Sequence, residues 1–188
     1  MIFTTFGETT YNGVSIANIF HSLQFYYDII KNNFTLRKYE IPNDHRPERV
    51  AYELYGDPSM YWVLFLINEI TDPYHDWIKS TSATQETAEY QYTYAGGTEQ
   101  VDHYVDEQDR QWFNVIESPD GSKNWYSKNH DGGADRFLYR GTMVPISATE
   151  HEQNLNESKR VIQVIAPGEI STFVNQLLET IGNLNANS

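Results

Sequence analysis

Apolar residues at Ile16, Ile19, Phe20, Leu23, Tyr26, Tyr27 and Ile30 keep the three-and-four spacing of a helix with one buried face. Ser15 stands where its N-cap belongs, after an extended start, and Asn32-Asn33 ends it. Residues 34–41 (FTLRKYEI) alternate between two faces and are bounded by Asn and Pro, which predicts a strand. Residues 46–73 then spell two short helices around a corner. Pro47 suits a first helical turn, Val50, Ala51 and Leu54 form one stripe, and Gly56 falls where a left-handed cap is needed. Asp57 caps the next helix with Pro58 at its first position. Residues 61–67 (YWVLFLI) are apolar on every side, which predicts a buried helix ending at Asn68.

The pattern then weakens. Residues 79–91 are mostly Ser, Thr, Gln, Glu and Ala and read as a linker or exposed connection. From residue 90 to 139, short aromatic segments are broken by Gly-Gly, Pro-Asp-Gly and Asp-Gly-Gly, the chemistry of β-hairpins, so little helix is expected there. Residues 142–146 and a short helix over 150–156 lead to a strand over 160–165. After Pro167, Ile170, Phe173, Val174, Leu177, Leu178 and Ile181 predict a final amphipathic helix closed by Gly182. The last residues, NLNANS, have little apolar content with which to pack.

The corner carries a resemblance. Tyr55-Gly56-Asp57-Pro58 followed by Trp62, Ile67 and Asn68 resembles the LysM-type helix pair of peptidoglycan-binding modules, and more closely its version in phage tail proteins. The flanks narrow it: Phe-x-x-Phe then Tyr-Asn-Gly at the start, Asp72-Pro73 with Trp77, and Asn156-Glu157-Ser158-Lys159-Arg160 leading into Val-Ile-Gln-Val-Ile. Together they are similar to the baseplate wedge protein 53 family of contractile-tailed, T4-like bacteriophages. The likeness is strong over residues 1–78 and 143–180 and weak between.

That resemblance implies an α+β protein. It implies a LysM-like β-α-α-β module interrupted by an aromatic β-hairpin insertion, with flanking N- and C-terminal helices. No strong strand follows Trp77, so residues 160–165 are expected to supply the missing fourth element by pairing with residues 34–41. The expected organisation is an N-terminal extension and helix (1–33), the first part of the module (34–78), an acidic, aromatic insertion (79–141), and a return strand with C-terminal helix (142–188).

Composition narrows the function. The chain has 188 residues, 39 % hydrophobic and 14 % aromatic, enough for a substantial core. Its net charge of −13 argues against a nucleic-acid surface, which needs clustered Lys and Arg. Residues 86–157 hold 14 acids against 5 basic residues, which fits either a solvated face or a surface meeting a basic partner. With no cysteine, neither disulfides nor thiolate metal sites contribute, and folding in a reducing cytoplasm is the simplest expectation. No signal-peptide pattern or membrane-spanning apolar run is present, so no membrane partner is expected.

Candidate chemistry is sparse. His21, His45, His75, His103, His130 and His151 are scattered, with no His-Glu-x-x-His, no Gly-x-Ser-x-Gly and no phosphate-cradling loop. Glu53 and Glu69 flank the helix pair, but carboxylates on helix exteriors are ordinarily solvated rather than acid/base couples. Residues 129–135 (NHDGGAD) offer close oxygen ligands yet lack the EF-hand alternation, so a turn is the better reading. Trp62 reads as core. Trp77, Trp112 and Trp125 sit in or beside predicted loops and hairpins and are candidate partner-binding anchors. Fourteen tyrosines suit surfaces that are wet before assembly and buried after it.

Tyr55, Gly56, Asp57, Pro58, Trp62 and Asn68 therefore form a structural corner, with no catalytic, cofactor or metal residue expected. The resemblance implies a structural component of a phage tail baseplate wedge that binds other wedge proteins and helps join adjacent wedges into a ring around the central hub. It would reside in the virion after assembly in the host cytoplasm, with no small-molecule substrate. The alternative is a peptidoglycan-binding LysM module of a cell-wall-degrading tail component.

Overall fold

The computed structural model describes residues 8–17, 23–42, 45–93 and 97–185. The protein is α+β with small antiparallel sheets, and the chain divides into two compact units, residues 1–78 with 159–188 and residues 79–158.

The first unit opens with a hairpin. Strands β1 (Glu8–Tyr11) and β2 (Val14–Ala17) are joined by Asn12 and Gly13, with φ of 50° and 79°. Positive φ at both central residues is the geometry whose twist matches paired strands. That turn draws Ser15 and Ile16 into the ladder, opposite Thr10 and Thr9, so Ser15 is a strand residue and not the predicted helix cap. Helix α1 spans Leu23–Ile30 and buries Tyr26, Tyr27 and Ile30. The predicted positions Ile19 and Phe20 lie outside the described residues. A 3-10 turn over Lys31–Asn33 follows, as the paired asparagines suggest.

Strand β3 (Leu36–Glu40) leads into α2 (Pro47–Tyr55). Gly56 ends α2 at φ 74° and ψ 0°, with its N–H on the Tyr52 carbonyl. Nothing lies within 4 Å of where a Cβ would sit, so replacement meets backbone strain alone. Gly56→Val is therefore expected to cost about 1–3 kcal/mol, the scale for a non-glycine side chain held in the left-handed region. An unchanged melting midpoint would contradict this cap.

The Asp57 side chain accepts from Ser59 N at 2.8 Å, opening a 3-10 turn over Pro58–Met60 that runs into α3 (Tyr61–Ile67). Helix α3 serves two cores, as its all-round apolarity predicts. Val63, Leu66 and Ile67 pack with α1 and the C-terminal helix, while Leu64 joins Val50, Ala51, Ile41 and Trp77. Beyond it, Asp72 caps the short α4 (Pro73–Asp76) by accepting from Tyr74 N.

The second unit begins with a departure from expectation. Residues read as a linker form helix α5 (Thr81–Tyr92), with Ser80 Oγ accepting from Ala83 N at 3.2 Å. The pattern missed it because its buried face is made of the small residues Thr84 and Ala88. Strands β4 (Val101–Asp106), β5 (Gln111–Trp112) and β9 (Met143–Ser147) form one sheet in the order β5-β4-β9. Strands β6 (Val115–Glu117), β7 (Asn124–Lys128) and β8 (Ala134–Arg140) form another, in the order β6-β7-β8. Helix α6 (Ala148–Glu157) is capped by Ser147 and packs on α5. Val115, Trp125 and Met143 centre the core. The Asn156 side chain accepts from Lys79 N at 2.8 Å and donates to Lys79 O at 3.0 Å, closing the unit's two ends on each other. Residues 142–158 thus belong with this unit, whereas the sequence boundary placed them in the return segment.

Back in the first unit, β10 (Val161–Ile165) pairs antiparallel with β3, from Val161 opposite Glu40 to Ile165 opposite Leu36. Helix α7 (Ile170–Asn185) buries Phe173, Leu177 and Ile181 against α1 and α3. Gly182 does not close it, because the helix continues to Asn185. Among the described residues, no helix is long and apolar enough to cross a membrane.

Candidate functional site

The corner between α2 and α3 is held from several directions. Tyr55 donates its hydroxyl to the Ile165 carbonyl at 3.3 Å, and burial pushes that phenol up to about 12 despite the opposing effect of the carbonyl contact. Asn68 ends α3 and clips it to β10. Its Nδ2 donates to the Leu64 and Gln163 carbonyls, each at 2.8 Å, while its Oδ1 accepts from Gln163 N at 2.7 Å. One side chain thus caps a helix and satisfies the outer edge of a strand. Trp62 is half-buried against the first core. Every one of these contacts lies within the first unit.

Glu53, on α2 beside the corner, is poorly suited to act as a general acid. Glu53 accepts from Arg49 Nε at 3.0 Å and lies 3.4 Å from His45 Nδ1. The Arg49 hydrogen bond leads in holding its pKa below the usual glutamate value, which keeps it ionised and unfit as a general acid. The NHDGGAD segment is a turn. Asn129 N donates to the Gly133 carbonyl, Gly132 N returns a bond to the Asn129 carbonyl, and Gly133 N donates to Asn129 Oδ1.

The candidate anchors separate by burial. Trp77 is only 5 % exposed, donates Nε1 to the His45 carbonyl at 2.8 Å and packs edge-on against Phe65. Trp125 is 4 % exposed, donates to the Gly141 carbonyl at 3.0 Å and lies 4.7 Å from the Tyr104 ring. Both indoles are enclosed by their own unit's core, because each has a carbonyl that satisfies its N–H. Trp112 is half-buried between Tyr139 and Arg110, with Nε1 on Asp106 Oδ2 at 2.9 Å.

Asp106 organises that neighbourhood. Its side chain is enclosed, and it accepts from Gln108 N, Arg110 N, Arg110 Nε and Trp112 Nε1. Burial alone would raise its pKa, but the Trp112, Arg110 and Gln108 donors outweigh it and bring the carboxyl to about 2.

The apolar groups left open lie elsewhere. On α1, Phe25 and Ile29 sit one turn apart and are 59 % and 51 % exposed. Tyr11 and Val14 flank the first hairpin's turn, and Tyr52 stands on α2. In the second unit Phe113, Phe137 and Val144 are exposed. Sequence periodicity placed α1 but not its outward aromatic, since Phe25 lies outside the stripe that predicted the helix.

A family model described as "Base plate wedge protein 53" matches residues 1–180. The chain is also 30 % identical over 187 residues to "Baseplate wedge protein gp53" of Enterobacteria phage T4, covering 95 % of this chain and 94 % of that protein.

Proposed function

We propose, from the premise that this chain belongs to the base plate wedge protein 53 family, that it is a structural subunit of a phage tail baseplate wedge. The observation that carries this reading is the extent of the match, which runs through both compact units and so attaches the role to the whole chain. Within that role the protein binds other wedge subunits and helps join neighbouring wedges into the ring around the hub. It takes its place in the virion after assembly in the host cytoplasm and catalyses nothing. The β3-α2-α3 run closed by antiparallel β10 supports a LysM-like module with residues 79–158 inserted into it. Here that module serves as scaffold.

Binding would proceed by covering the open apolar groups, with the excess acid of the inserted segment setting register and encounter rate. Trp112 keeps a reachable face and remains a candidate anchor, while Trp77 and Trp125 contribute through their cores. Phe25 and Ile29 are the better first test, because their side chains are more than half exposed and project from a regular helix.

Phe25→Ala combined with Ile29→Ala is expected to leave the circular dichroism spectrum and melting point unchanged. The same variant should weaken association with purified wedge subunits by on the order of 2 kcal/mol, the scale of an interface hot spot. Sedimentation of the mixed subunits reads this out. Normal ring formation by the variant would place the anchors elsewhere, and retention of the unmixed wild-type chain on purified cell-wall glycan would favour the LysM glycan-binding alternative.

A further inference from the structure

We propose that Asp102, His103 and His151 form a binding site for a divalent transition-metal ion of the zinc class, within the second unit. One ligand atom from each of the three lies within 4.8 Å of the other two. No sequence spacing announces the group, because His151 comes from α6 while the other two are neighbours on β4.

Consecutive residues of a regular strand point to opposite faces, so Asp102 and His103 should not share a ligand. A bulge removes that obstacle. Val101 pairs with Ser147 and His103 with Ile146, so β4 carries one extra residue, Asp102, between adjacent partners on β9. Bulges re-aim side chains in this way and are common beside functional sites. Here the bulge brings Asp102 Oδ2 to 2.9 Å from His103 Nδ1. Helix α6, which starts directly after β9, delivers His151, its ring edge-on to His103 with centroids 5.2 Å apart.

The surroundings suit a cation. His103 is 3 % exposed and stacks on Phe113, yet its second ring nitrogen has no hydrogen-bond partner among the described residues, and neither ring nitrogen of His151 has one. Tyr92 donates its hydroxyl to Asp102 Oδ1 at 3.2 Å, the outer-sphere support that orients a ligating carboxylate. Two imidazoles and one carboxylate suit Zn²⁺, Co²⁺ or Ni²⁺ and leave positions open for water. Ca²⁺ and Mg²⁺ prefer all-oxygen shells. With metal–ligand bonds of about 2.0–2.2 Å, the ligand atoms of one tetrahedral ion lie about 3.3–3.6 Å apart, so side-chain rotations that draw the three atoms together close the site.

The test is a titration of the untagged, chelator-treated full-length chain with Co²⁺, followed by visible d–d absorption, with Zn²⁺ competition and thermal melting in parallel. The expected result is inner-sphere absorption that saturates at one equivalent, is abolished by Zn²⁺, and accompanies a higher melting point with Zn²⁺ but not with Mg²⁺. His151→Ala should lower affinity at least about tenfold, the smallest loss typical even of outer-sphere changes, while His130→Ala leaves it unchanged. If the metal-free His151→Ala chain melts lower, His151→Gln replaces it with the same expectation. A spectrum that stays that of hydrated Co²⁺, or equal affinity in the His151 variant, would overturn the site.

Discussion

A fragment ending at Ser80 is expected to aggregate or remain largely unfolded, although it contains the whole corner and both helices of the pair. It lacks β10, which pairs with β3, and α7, which covers α1 and α3. Ile162, Val164, Ile165, Phe173, Leu177 and Ile181, all buried, are absent from it. Burial of a large apolar side chain contributes about 1.5–3 kcal/mol. Losing six, about 9–18 kcal/mol, is as large as or larger than a domain's whole net stability of about 5–15 kcal/mol. The fragment would also expose β3 as an unpaired edge, and an isolated strand with one open ladder invites association.

Size-exclusion chromatography and thermal melting decide this outcome. A companion chain in which residues 1–78 are joined to 159–188 by a short Gly-Ser link is expected to melt cooperatively, since β3, β10 and the core helices α1, α2, α3 and α7 are then present. Lys159 Nζ donates to the His75 carbonyl at 2.6 Å, so the ends to be joined already meet within the first unit. A monomeric, cooperatively melting fragment 1–80 would show that β10 and α7 are dispensable and would remove the argument for an interrupted module.

Such an interrupted unit is legible in sequence where local chemistry is strong. Pro47, Gly56, Asp57 and Pro58 each act on the backbone within one turn of themselves, so the corner follows from residue type alone. The pairing of residues 160–165 with 34–41 follows from a missing partner, an argument of topology that the register of β10 on β3 fulfils. Helix α5 escapes notice for the opposite reason, since Thr84 and Ala88 are too small to generate an apolar stripe. Ser15 misleads because a capping residue type is also compatible with a strand, and the Asn12-Gly13 turn settles the choice. Gly182 misleads because a glycine inside a helix costs only about 1 kcal/mol, which the buried Ile181 beside it offsets. The Asp102, His103 and His151 cluster is invisible in sequence because a strand bulge and a distant helix create it.

Phe173→Ala is expected to be among the most damaging single substitutions, at about 3–5 kcal/mol, the range for removing a buried aromatic side chain. Phe173 is fully buried at the centre of the first core, edge-on to Tyr27 on α1 at 6.1 Å and to Phe34 at 5.2 Å. Each such ring pair adds about 0.5–1.5 kcal/mol beyond area burial, and the packed helices around the site limit collapse into the space left behind. Phe137→Ala, at a half-exposed ring of β8, provides the contrast and should stay much closer to neutral. Urea unfolding of the two variants measures the difference, and a cost below about 1 kcal/mol for Phe173 would contradict its place in the core. The same variant separates two routes to failed assembly. Loosening α7 from α1 displaces Phe25 and Ile29 without altering them, so Phe173→Ala should lose stability and association together, whereas the Phe25 and Ile29 double variant should lose association alone.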